Sequence, residues 1–308
     1  MEHRIQIQLK DNNQSWKNRD EFITELYSTA PTDTVIIDTG HEGFSLEHYG
    51  VKEVLNRWML ETNRDLSTVR IDTPNQFENI GYPFYRTIRR SHFLKQSMIR
   101  YHSSPRAWMP NAQKQFGYFV GKYTPDRNRI ALDILNLWPN KFLLSVMRID
   151  KTDDYFWDEQ VYNIGSLDQA HVADQWAADK NPQQSLLDLY NQFEIEIVAE
   201  TFTYGQTFFP TEKTIRPIMG CKPFLIYGPK NFLNNLRLLG FETFDQIWPE
   251  EYDLLEGPER WESIKQTIEY IEHSDYHQKE YFQTEIQRII TYNYNHLRNI
   301  MQYGSTFY

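Results

Sequence analysis

The densest group of chemically capable side chains lies in residues 200–228, where Glu200 is followed by Thr211-Glu212-Lys213-Thr214 and then by an apolar run ending at Gly228. Glu200 closes an alternating run that reads as a strand, and function in open α/β sheets gathers at strand carboxyl ends. Thr211 suits a helix N-cap, which puts Glu212, Lys213 and Thr214 in the first turn. Backbone N–H groups at a helix start, with a lysine beside them, suit a phosphate. A carboxylate there can accept hydrogen bonds from sugar hydroxyls. The competing reading is a capped helix whose Glu-Lys pair is ordinary surface charge.

A second concentration is cationic. No acidic residue occurs between Asn79 and Pro125, a stretch that holds Arg86, Arg89, Arg90, Lys95, Arg100, Arg106, Lys114 and Lys122. Arg86, Arg89 and Arg90 are the candidates for an anion or acceptor contact. The alternative is a solvated basic face. Tyr101 and Trp108 in the same stretch are candidates for stacking on a sugar or base. The net charge of −10 disfavours nucleic acid as a partner, yet residues 1–115 carry +1 and residues 116–308 carry −11.

These residues need a scaffold, and the pattern predicts an α/β one. Strand signals at Arg4–Leu9, Thr34–Thr39 and Ser67–Asp72 alternate with helical spacing at Asp20–Tyr27 and Glu47–Leu60. That is a βαβ pattern and predicts a parallel sheet. Two loops fall at its carboxyl ends, Asp38-Thr-Gly-His-Glu-Gly and Asp72-Thr-Pro-Asn. A second unit follows, with strands at Phe116–Gly121, Lys141–Met147, Phe193–Ala199 and Pro223–Tyr227. Its helices are expected at Arg127–Leu137, Ser185–Gln192 and Asn231–Leu239. Residues 152–181 carry no clear pattern. Helices at Glu259–His273 and Asp275–Gln302 close the chain, the latter with Ser274 as N-cap. The expected division is 1–115, 116–273 and a final helix over 274–308.

The order of residues in 193–253 resembles the donor-binding core of GT-B glycosyltransferases, most closely the α1,3-fucosyltransferase type and related phage and bacterial proteins. In that family a strand ending in a Phe-Glu-Asn-like segment leads into a Thr-Glu-Lys helix start, then a small-residue turn and an apolar strand ending in Gly. Ala199-Glu200-Thr201, Thr211-Glu212-Lys213 and Ile218–Gly228 stand in those places, followed by Phe232–Phe244 and Glu251-Tyr-Asp253. Thr201 replaces the family's asparagine. The likeness is weaker over 116–150, and residues 1–115 match only in Rossmann-like character.

The resemblance implies two Rossmann-like domains facing a central cleft, and an inverting, metal-independent transfer from a nucleoside-diphosphate sugar. No cofactor is implied beyond that co-substrate. Lys213 would bind phosphate, Glu212 ribose and Glu200 the sugar. Arg129, or else Arg127, would be a second phosphate cation, with Tyr204 in the same donor-binding set. An acceptor base is also required. Glu42 is the first candidate, Asp38 the second, and His41 could serve at neutral pH. A glycan is the favoured acceptor, a modified base of phage DNA an alternative, and a non-catalytic nucleotide- or carbohydrate-binding protein a third reading.

Several chemistries lose ground. The P-loop and Gly-x-Gly-x-x-Gly patterns are absent. Cys221 is the single cysteine, so no intrachain disulfide can form. Its place in a small-residue turn predicts a packed core thiol. Asp153-Asp154 is not an Asp-x-Asp metal motif, and His273 with His277 lacks the zincin glutamate. No run approaches 18 apolar residues and the start is not a signal peptide, so a soluble, cytoplasmic protein is expected.

Overall fold

The structure is a computed structural model that describes residues 1–10, 15–40, 43–75, 107–110, 112–120, 124–146, 189–274 and 279–303, with the backbone of a strand at 85–88. The chain divides into two compact units, residues 1–93 with 202–209 and residues 94–201 with 210–308. The sequence placed a break at 115 and gave no sign that 202–209 leave the second unit for the first. Both units are α/β with parallel sheets.

The first unit holds β1 (Glu2–Gln6), α1 (Arg19–Ser28), β2 (Thr34–Asp38), α2 (Val51–Glu61), β3 (Val69–Thr73) and β4 (Tyr85–Ile88). The strands are all parallel, in the order β1-β2-β3-β4. Right-handed crossovers that always step the same way put their helices on one face. The core confirms this: Phe22 and Leu26 of α1 and Leu55 and Trp58 of α2 cluster with Ile5, Val35, Ile37, Val69 and Ile71. The opposite face carries Arg4 and Arg70, both exposed. The helix expected from Glu47 begins only at Val51. Residues 45–50 instead form a turn held by His48 N donating to Ser45 Oγ at 3.2 Å.

The second unit holds β5 (Lys114–Val120), α3 (Pro125–Leu137), β6 (Phe142–Val146), β7 (Phe193–Ala199), α4 (Glu212–Met219), β8 (Phe224–Tyr227), α5 (Phe232–Leu238), α6 (Gly257–His273) and α7 (Glu280–Tyr303). Its parallel sheet has the order β6-β5-β7-β8. The chain steps from β5 to β6 in one direction and from β7 to β8 in the other. α3 and α4 therefore lie on opposite faces, and the order reverses between β5 and β7. Trp261 Nε1 of α6 donates to Asp133 of α3 at 2.7 Å, so α6 joins the α3 layer.

Helices on both faces explain β7. Its Phe-Glu-Ile-Glu-Ile-Val-Ala alternation reads as a half-exposed strand, but every residue is buried. Glu196 is tolerated inside because Arg216 of α4 donates to its carboxylate (Nε to Oε1, 2.9 Å) and the Tyr190 hydroxyl bonds it too. Burial still pushes the Glu196 carboxyl up, against the pull of Arg216.

Ser274, expected to open the last helix, instead closes α6. Its Oγ donates to Ile271 O at 2.9 Å. Of the helix expected at 185–192, the described part is a 3-10 turn at Leu189–Gln192. Trp108 is a core residue rather than a stacking platform: it is buried, and its Nε1 donates to Glu194 O at 3.2 Å. Cys221 is a buried free thiol. No helix among the described residues is long and apolar enough to cross a membrane.

Asp253 organises the C-terminal part of this unit. Its carboxylate accepts from Leu233 N at 2.9 Å and Asn234 N at 3.0 Å, capping α5 from a distance. It also accepts from Arg260 Nη2 at 3.0 Å, and Arg260 is wholly buried with its other donors on Ile226, Pro229 and Leu255 carbonyls. Removing one partner of a buried pair strands the other charge. Asp253→Ala should therefore lower the unfolding free energy in urea by about 3–5 kcal/mol, and Asp253→Asn by less. Glu250 sets a pH dependence. Burial pushes its carboxyl up to about 7, against bonds from Phe244 N and Thr243 Oγ1. A raised folded pKa favours the fold below the unfolded value, and that contribution is lost as pH rises through about 7. Between pH 5 and 8.5, wild type should lose about 1–3 kcal/mol of stability relative to Glu250→Gln, read by urea titration at each pH.

Candidate anion site at the carboxyl end of the second sheet

The strand order reverses between β5 and β7, and the carboxyl ends of strands at such a point are where open α/β sheets receive ligands. Two helices begin there. α3 starts behind Thr124, whose Oγ1 accepts from Arg127 N at 3.3 Å, with Pro125 in the first helical position. α4 starts behind Thr211, whose Oγ1 accepts from Lys213 N at 3.3 Å. The N-cap predicted at Thr211 is present.

Arg127 joins the two starts. Its guanidinium runs from α3 to the end of β7, where Nη2 donates to Ala199 O and Glu200 O, both at 2.9 Å. It is 2% exposed. Burial pushes its pKa down, opposed by the nearby Tyr118, Glu200 and Glu212. Arg127 is thus fixed in the wall as a positioning group. Arg129, two residues along and so on the far side of the helix from Arg127, is 38% exposed and sits 3.3 Å from Asp126. Of the two arginines, Arg129 is the partly exposed one.

Glu200 is more engaged than its sequence role implied. Oε1 accepts from Thr211 N at 3.1 Å and Thr214 Oγ1 at 2.5 Å. Oε2 accepts from Thr211 Oγ1 at 2.6 Å and Thr201 N at 3.2 Å. Four bonds fill the acceptor capacity of a carboxylate. Glu200 therefore holds the start of α4, and its oxygens are taken by the protein rather than offered to a sugar. The sequence reading placed Thr214 in the first turn but gave it no role. The signal was present, because threonines three apart at a helix start share one face and both reach the same carboxylate.

Lys213 and Glu212 complete the site. The Lys213 ammonium donates to Glu212 Oε1 at 2.6 Å and to Thr201 Oγ1 at 3.1 Å. Burial would raise the Glu212 carboxyl, but Lys213 outweighs it and holds the pKa at about 2. An asparagine at Thr201 would place an amide where this hydroxyl now meets the lysine. Electrostatically the site sets Lys213 and the α4 start against Glu212, with Arg127 and Glu200 buried behind.

The remaining candidates are elsewhere. Tyr204 belongs to the first unit, where its ring stacks on His48 with centroids 5.6 Å apart. Asp38 lies at the carboxyl end of β2, in register with Asp72 of β3. Arg4 Nη1 donates to both, at 2.9 and 2.7 Å, and Asp38 Oδ1 also accepts from Gly40 N at 2.7 Å. The sequence paired none of these three. His41, Glu42, Arg89, Arg90, Lys95, Arg100, Tyr101, Arg106, Lys122, Asp153, Asp154 and His277 lie outside the described residues, and Arg86 is described only as backbone of β4. Among the described residues no group of three or more His, Cys, Asp or Glu side chains could hold a metal ion.

No protein-family model and no curated protein matches the chain.

The Glu212 carboxyl, low in the folded state, contributes stability above the unfolded value near 4.5 that is lost as pH falls through about 2. Glu212→Gln should cost about 1–2 kcal/mol at pH 7, and the cost should shrink toward pH 2 in urea titrations.

Proposed function

We propose that this protein is a glycosyltransferase that takes a sugar from a nucleoside diphosphate and delivers it to a hydroxyl acceptor, a glycan in the favoured case. One observation carries this reading: the Thr211-Glu212-Lys213 helix start lies at the reversal point of a parallel sheet, beside the start of α3. That constellation is suited to a diphosphate.

In the proposed reaction a base removes the acceptor hydroxyl proton while the oxygen attacks the anomeric carbon. The bond from that carbon to the diphosphate breaks, and the diphosphate leaves with the electron pair. Negative charge grows on the departing group, where a fixed lysine and helix N–H groups lower the barrier. Lys213 and Arg129 supply the charge and Glu212 takes the ribose hydroxyls. Arg127 and Glu200 keep the helix start in place. Glu42 is the base on this reading, since the Asp38 carboxylate is engaged by Arg4 and Gly40 N.

A panel of nucleoside-diphosphate sugars, read by thermal shift and then by donor hydrolysis, tests the proposal. At least one donor should stabilise wild type and give no shift with Lys213→Ala. Equal shifts in both proteins would remove Lys213 from the site. No shift from any donor would remove the reading. Glu42→Gln should abolish turnover and leave donor affinity within about two-fold, since a base acts on the chemical step. Binding without turnover in wild type would leave the non-catalytic alternative.

A further inference from the structure

Residues 202–209 are the one described segment that belongs to the first unit while both its flanks belong to the second. Within the first unit it is held at every step. Phe202 enters the hydrophobic core, 5.9 Å from the Phe44 ring. Tyr204 stacks on His48. Gly205 has φ +73°, and a Cβ there would stand 2.8 Å from His48 Cβ and 3.0 Å from Ser45 Cβ. Phe209 lies so close to Gly43 that a Cβ on that glycine would come within 2.4 Å of the ring.

The most specific grip is that of Asn75. This residue follows β3 by two positions and is 0% exposed. Its Nδ2 donates to Gln206 O at 3.0 Å and its Oδ1 accepts from Phe208 N at 2.8 Å. One side chain thus pairs both sides of the segment's backbone, as a neighbouring strand would. At the segment's base the Glu200 carboxylate collects Thr201 N, Thr211 N and Thr211 Oγ1. Between Phe209 and the N-cap Thr211 stands only Pro210, whose ring fixes φ and limits slack.

We propose that Asn75 is a positioning residue for the anion site: by fixing the 202–209 strap it fixes Thr211, and through Thr211 the first turn of α4 with Lys213. The consequence for ligand affinity rests on the function proposed above, whereas the mechanical claim does not. A residue of the first unit then tunes the helix start in the second through covalent chain rather than through ligand contact. The strap has a clamp at its tip and another at its base, so a loosened tip passes its motion to the helix.

Native-state hydrogen exchange on the full chain tests the mechanical claim without any ligand. In Asn75→Ala, with Asn75→Ser as a milder second variant, the amides of residues 213–216 should exchange about 10-fold faster than in wild type, for two buried hydrogen bonds removed. The amides of β7 and β8 should be unchanged. Gly205→Ala, which disturbs the strap from its other side, should act in the same direction. Leu26→Ala, which weakens the first unit's core away from the strap, should leave residues 213–216 alone. Faster exchange confined to 202–209 would overturn the proposal, as would equal acceleration in Leu26→Ala. The affinity arm uses UDP and GDP by calorimetry. Whichever binds wild type should bind Asn75→Ala about 10-fold more weakly, and an unchanged Kd would overturn the positioning role. Binding of neither to wild type would count against the donor reading, while the exchange result would still decide the strap.

Discussion

The second unit depends on one carboxylate. Glu200 stands where β7 ends, buried, and accepts from Thr201 N, Thr211 N, Thr211 Oγ1 and Thr214 Oγ1. An isolated ionised carboxylate inside a protein is costly, and hydrogen bonding to the charged form is what offsets that cost. Because the donors come from the strand end, the helix N-cap and the helix's first turn, satisfying the charge also joins those three pieces of chain. The nine residues between Thr201 and Thr211 thus leave from and return to the same carboxylate.

The same economy governs the rest of β7. Glu196 and Glu200, four residues apart on a strand, share a face, and that face meets α4. α4 supplies Arg216 to the first and threonine hydroxyls to the second. A strand covered on both sides would ordinarily be apolar throughout. Glu194, Glu196 and Glu200 are all buried acids here, and the latter two each acquire a partner on the helix that covers them. Pairs of this kind contribute little net stability over an apolar equivalent, but losing either partner is expensive. Their effect is to fix the register of α4 against β7, which a purely apolar contact would define less sharply.

The elements were legible where periodicity alone determines structure. β7 at Phe193–Ala199 matches the expected run residue for residue, and the cap at Thr211 follows from residue type and position. Where the reading failed, a distant partner decided. In β7 the alternation marked the strand, but spacing could not pair Glu196 with Arg216 and Tyr190. α2 starts at Val51 rather than Glu47 because Ser45 stabilises a turn first. Ser274 can cap either neighbouring helix, and it caps α6. In the site, residue types pointed to anion chemistry but could not separate contact from support. Arg127 and Arg129 look alike in sequence, and only burial shows that the first is committed to the carbonyls of Ala199 and Glu200. The strap was invisible because Gly205, Asn75 and Gly43 have meaning only once the segment is seen among them.

Topology assigns the two units different work. In the first, sequential strand order places α1 and α2 on one face, and among the described strands no reversal opens a crevice. Its strand ends carry Asp38 and Asp72, drawn together by Arg4, whose single charge offsets one of the two. In the second, the reversal sets two helix starts side by side, and uncompensated N–H dipoles there favour an anion. A donor diphosphate would meet both the dipoles and Lys213 in the second unit. What the first unit contributes is a hold on the strap, since Asn75 reaches the same helix start through covalent backbone rather than through charge. The charge that meets the anion and the position of the helix that carries it are thereby set by different residues, and substitutions at Lys213 and Asn75 weaken binding by different routes, the first by removing the cation and the second by loosening its support.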